Sequence, residues 1–141
     1  MVSIDKDRIK EAIQKAERRT SGEIRVALAR PFWGDVRRAA ENAFDRMGMT
    51  ATRQRNAVLF FIAPARHEFV VLGDCGIHEK VGQEFWNGIA LALSERFKHR
   101  DFTGGIVAGI EAVGEGLAVH FPYCPDTDIN ELPDDVVEHG L

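Results

Sequence analysis

RQRNAVLFFIAPARHEFVVLGDCGI, residues 53–77, is the stretch on which the fold turns. Its centre, Ala57 to Ala63, is a short apolar run rich in aromatic and β-branched residues. Pro64 breaks the run, Ala65 to His67 fill a turn, and Glu68 to Leu72 form a second run. Two short runs across so small a gap predict a β-hairpin. In the first run Val58, Phe60 and Ile62 fall on one face, Leu59 and Phe61 on the other. A strand apolar on both faces has to be covered on both, so it belongs inside a sheet with helices above and below. Polar residues gather at one end: Arg53, Arg55 and Asn56 enter the first strand, and Gly73 and Asp74 leave the second. The hairpin makes these two points neighbours.

Working outward, residues 4–18 read as a helix with Ile9, Ala12, Ile13 and Ala16 as its apolar stripe. Ser3 stands where a cap is needed, with Asp5 and Asp7 near the positive end of the helix dipole. Glu23 to Ala29 alternates as a strand, Ile24, Val26 and Leu28 on one face and the small Ala27 and Ala29 on the other. After Asp35, a plausible N-cap, helical spacing runs from Val36 to Met47 and stops at Gly48. Beyond the hairpin, His78 to about Phe97 and Phe102 to about His120 read as helices. The last is rich in glycine, whose cost of ~1 kcal/mol each relative to alanine implies close backbone approach in return. The order α-β-α-β-β-α-α predicts an α/β fold, a three-layer α/β/α sandwich with a small mixed central sheet. Residues 1–122 form the predicted domain, and 123–141 an irregular acidic tail that adds little to the core.

Composition excludes several classes. With 141 residues, 45% hydrophobic and 28% charged, the chain has the profile of one soluble domain. It opens MVSIDKDRIKE, charged where a secretory signal would be apolar. Its longest uninterrupted apolar stretch, Ala57 to Ala65, falls far short of a membrane span. Cys75 and Cys124 read as free thiols in a reducing compartment, which places the protein in the cytoplasm. From Asp126 onward there are six acidic residues and no Lys or Arg, against a body of 16 acidic and 18 basic residues. That distribution does not describe a nucleic-acid binder. The five histidines lack zinc-site spacing, and neither a G-x-S-x-G elbow nor a phosphate-binding P-loop occurs.

The first and second strands run parallel and the third antiparallel, so three polar segments meet at one end: 20–23, 53–56 and 73–76. Glu23 and Asp74, with nearby hydroxyls and carbonyls, form a candidate site for a hard cation, Ca²⁺ or Mg²⁺. Arg53, Arg55, Asn56 and the backbone at Gly76, beside a helix N-terminus, are candidates for holding a phosphate or other anion. The competing reading is that the two carboxylates simply pair with these arginines. His78 and Glu79 are the nominees for an acid or base, and Phe32 with Trp33 forms a loop at the opposite end.

The runs TSGEIRV, RNAVLFFIA, GDCGI with VGQEFW, FTGGIVAGIEAVGEGLAVHFP and, in the tail, NELPD resemble the TPM domain family, also labelled TPM phosphatase. The resemblance spans about Ile9 to Pro122 and implies an α/β/α sandwich. Plant thylakoid members of that family are associated with photosystem II repair, acid phosphatase activity and calcium binding. This chain is similar to its stand-alone soluble bacterial type. The resemblance carries the acidic metal site to Asp74, in GD-x-GI, and to Glu23, in SGE. It implies a divalent metal as partner, a metal-dependent phosphatase acting on a phosphorylated small molecule as one alternative, and a protein-interaction scaffold as another.

Overall fold

The computed structural model describes residues 3–123 and 137–139. Helix α1 covers Lys6–Glu17, strand β1 Glu23–Ala29, helix α2 Val36–Arg46, β2 Ala57–Ala63 and β3 Glu68–Gly73. Helices α3, Cys75–Lys98, and α4, Phe102–His120, follow, and β4, Val137–His139, closes the described chain. The sheet order is β3-β2-β1-β4. β1 pairs in parallel with β2 and β4, and β2 pairs antiparallel with β3, so the sheet is mixed as expected.

Every residue of β2 is buried. Val58, Phe60 and Ile62 pack with Ile24, Val26 and Leu28 of β1 under α1, α3 and α4. Ala57, Leu59 and Phe61 join Ala27, Ala29 and the α2 residues Ala39, Ala40, Ala43 and Phe44 on the other face. The alanines of β1 and α2 let that single helix lie close to the sheet. Phe60 and Phe61 are fully buried, each worth roughly 1.5–3 kcal/mol in transfer from water. Helix α4 has a stretch as long and apolar as a membrane span, with mean hydropathy 1.3, and half of it is buried in this core. Its glycines serve close packing: a Cβ on Gly109 would lie 2.9 Å from the Phe60 ring.

Three local expectations are corrected. Asp5, not Ser3, caps α1, accepting the Arg8 N–H at 3.2 Å, since a carboxylate there also meets the positive helix end. Helix α3 begins at Cys75, three residues before the expected His78, and is kinked at Gly82, where φ 76° and ψ 173° are open to glycine alone. The tail is not irregular throughout: Val137–His139 lies parallel beside Ala27–Ala29.

Asp101 caps α4 through the Gly104 N–H at 3.0 Å and pairs with Arg96 at 3.0 Å. The Arg96 hydrogen bond first, then the Gly104 N–H, holds its carboxyl below the ordinary value of 3.8. A depressed carboxylate adds stability that is complete above its unfolded pKa and lost as pH falls through the folded one. The thermal midpoint of Asp101→Asn should therefore fall less steeply than that of the wild type below about pH 4. Deleting residues 126–141 removes β4 and opens the β1 edge. Chemical denaturation should show a loss of about 1–3 kcal/mol, the worth of a few ladder hydrogen bonds, whereas an unchanged midpoint would mean that β4 adds nothing.

Candidate functional site

Asp74 joins β3 to α3 as the helix N-cap, and its buried side chain has three hydrogen-bond donors around it. Arg55 Nε donates to Oδ2 at 2.6 Å and Nη2 to Oδ1 at 2.9 Å, a fork-to-fork pair. The Cys75 N–H donates to Oδ1 at 2.8 Å, so the same carboxylate caps the helix. The Asp74 N–H in turn donates to the Ala57 carbonyl at 2.9 Å, extending the β2–β3 ladder. The hydrogen bond and charge of Asp74 push the Arg55 guanidinium further above its already high pKa.

Arg55 reaches this position from a left-handed backbone, φ 51°, and its carbonyl accepts the Ile77 N–H at 3.3 Å. Residue 76 has to be glycine, because a Cβ there would lie 2.1 Å from the Gln54 carbonyl oxygen. The loop before β2 is thus clamped against the first turn of α3. Beside it lies a looser polar group. Asn56 Nδ2 is 3.4 Å from both Ser21 Oγ and Gln54 Oε1, while the Asn56 N–H donates to Thr52 Oγ1 at 3.2 Å.

Of the residues singled out from sequence, Asp74, Arg55 and Gly76 meet directly and Asn56 stands beside them. Arg53 is exposed on the same loop. Glu23 is at the same sheet end, but the register puts Ala57 between it and Asp74, about 10 Å by strand spacing. Its carboxylate pairs with Arg25 Nη2 at 3.0 Å. Arg25 escaped sequence reasoning. It is 1% exposed on the alanine face of β1 and also bonds Glu17 of α1 at 2.7 Å. The available signal was an arginine set inside an otherwise apolar alternation. Of the two acid–base nominees, both exposed, His78 accepts the Trp86 indole N–H on Nδ1 at 3.0 Å. At the far end Phe32 packs on Phe61 beneath Arg66, leaving only Trp33 fully exposed.

Among the described residues, no three or more His, Cys, Asp or Glu converge as metal ligands. Asp74 and the neighbouring Asn56, Gln54 and Ser21 nonetheless carry side-chain oxygens, the donor type Ca²⁺ and Mg²⁺ prefer. The Arg55 guanidinium stands where such an ion would meet the carboxylate.

A match to the TPM domain covers residues 3–116. The chain belongs to the TPM domain family. Its fold is similar to the solution structure of BA42 from the psychrophilic bacterium Bizionia argentinensis, with TM-score 0.89 and 39% identity over 95% of this chain and 92% of that one. The N-terminal domain of cg2496 from Corynebacterium glutamicum shares the fold, with TM-score 0.61 and 17% identity over 94% and 77% of the two chains. Comparison with curated proteins yields no match. In this TPM domain the Gly76 contact ties the candidate site to the sheet. Gly76→Ala should cost about 1–3 kcal/mol, the usual penalty of forcing atoms into a packed contact. Denaturant titration would measure it, and a neutral substitution would mean that the 54–55 loop moves aside freely.

Proposed function

We propose that this TPM domain binds a divalent cation, Ca²⁺ or Mg²⁺, at the sheet end, in exchange with Arg55 for the Asp74 carboxylate. The observation that carries the reading is the pair itself: a buried carboxylate, 7% exposed, faced by a guanidinium that is 46% exposed. A half-solvated arginine on a loop can swing into water at little cost, whereas Asp74 is held by β3 and α3. Asn56, Gln54 and Ser21 supply neutral oxygens, and water completes the shell. With one fixed carboxylate the affinity falls in the weak range, about 10⁻⁴–10⁻³ M. Glu23 stays with Arg25 in this reading and is not a direct ligand. The exposed free thiol of Cys75 beside the site fits a cytoplasmic setting.

Binding ranks above phosphomonoester hydrolysis for a specific reason. Three of the N–H groups at the start of α3 that would hold a phosphoryl group are already engaged. Cys75 donates to the Asp74 side chain, Ile77 to the Arg55 carbonyl and His78 to the Asp74 carbonyl. Calorimetric titration of metal-free protein tests the exchange. Asp74→Asn should weaken binding at least roughly tenfold, and Arg55→Gln, which removes the resident cation, should tighten it several-fold. No binding by wild type or Arg55→Gln at about 10 mM metal would leave the pair a structural ion pair and nothing more.

A further inference from the structure

A cleft of about 250 Å³ opens on the β3 side of the sheet, walled by Arg37 of α2, the end of β3, and His78, Gln83 and Trp86 of α3. Because Asp74 directs its N–H to β2, antiparallel alternation turns the backbone N–H groups of Val71 and Gly73 away from β2, toward this open edge. Gly73 makes room for the floor: a Cβ there would lie 2.2 Å from the Trp86 ring. The indole N–H fixes the adjoining histidine. It donates to His78 Nδ1, so the proton of the neutral ring sits on Nε2 and that nitrogen is a donor. Gln83 spends one amide hydrogen on Asn87 Oδ1 at 3.0 Å and keeps the other. The kink at Gly82 lies between His78 and Trp86, where α3 bends along the cleft. Arg37 supplies the charge, its pair with Glu41 being a long 4.0 Å between exposed groups.

We propose that this cleft binds a small carboxylate with an apolar body, of the aromatic or branched aliphatic kind. The lining combines one guanidinium with neutral N–H donors, which matches one negative charge rather than two. The guanidinium fork fits a carboxylate in the bidentate manner. Val71, Leu72 and the Trp86 ring offer apolar contact to the remainder of the ligand. The site is separate from the Asp74–Arg55 pair and needs no metal.

Benzoate titrated into metal-free, ¹⁵N-labelled protein is the direct probe. Saturable shifts should appear at the amides of Val71, Gly73 and Gln83 and at the Trp86 indole N–H, in the millimolar range. Arg37→Ala should weaken binding at least roughly tenfold, the worth of a charge-assisted hydrogen bond, and Arg37→Lys, which keeps charge but loses the fork, by less. Arg37 is an exposed helical residue, so both variants should keep the wild-type spectrum elsewhere. Methyl benzoate, of the same shape without the charge, should not bind. Equal binding of the ester, unchanged affinity in Arg37→Ala, or no shifts in the cleft would overturn the proposal. Tighter binding of phenyl phosphate than of benzoate would overturn the assignment of a singly charged ligand. Because no metal is present, none of these outcomes depends on the cation site.

Discussion

Ala57–Ala63 is buried on both faces, and a strand in that position needs two separate cores built against it. Bulk is divided unequally between them. Ile, Val and Phe side chains face α1, α3 and α4, while the other face relies on alanines that admit α2 alone. The division is sharpest in β1, where Ile24, Val26 and Leu28 oppose Ala27 and Ala29, whereas β2 sets Leu59 and Phe61 among those alanines. With its side chains committed to packing, β2 leaves polar chemistry to the segments that enter and leave it. The candidate site therefore lies at a strand end and not on the sheet surface.

Much of this was legible because the signals were local and redundant. The hairpin announced itself through Pro64 and two apolar runs, and the α2 boundaries through Asp35 and Gly48. The glycines of α4 were read as close contacts, and Gly109 against Phe60 is one. What escaped was decided by tertiary context. Val137–His139 has three residues and an acidic neighbourhood, with nothing in its own sequence to outweigh coil. It is a strand because β1 offers it an edge. Sequence puts the start of α3 late because residues 73–76 read as a polar segment at the strand end. In the fold the Asp74 carboxylate satisfies the helix end, so the helix begins at once.

The site was legible in composition but not in pairing. Sequence brought Glu23, Asp74 and the two arginines to one end and left open whether the carboxylates face a cation or the arginines. Pairing depends on which face each side chain leaves from and how far it reaches. Asp74 meets Arg55 because the 54–55 loop is pressed onto α3 at Gly76. Glu23 meets Arg25 because residues two apart on a strand share a face. Arg25 then joins Glu23 to Glu17, holding α1 to β1 through a buried ionic group that packing alone would not require.

Buried ion pairs of this kind contribute less to net stability than their short distances imply, since desolvation offsets much of the attraction. Arg25 and Arg55 therefore differ in what they can do. Arg25 is enclosed, 1% exposed, and removing its charge would take one ionic partner from both Glu17 and Glu23 where water cannot readily replace it. Arg55 is half in water, so solvent can take over its charge, and only Asp74 must find another partner. A carboxylate fixed by the backbone and faced by a replaceable cation is a place where ions can exchange. The buried Arg25 network is not. That contrast in burial, more than the count of acidic groups, separates the proposed binding end of this domain from its buried ionic core.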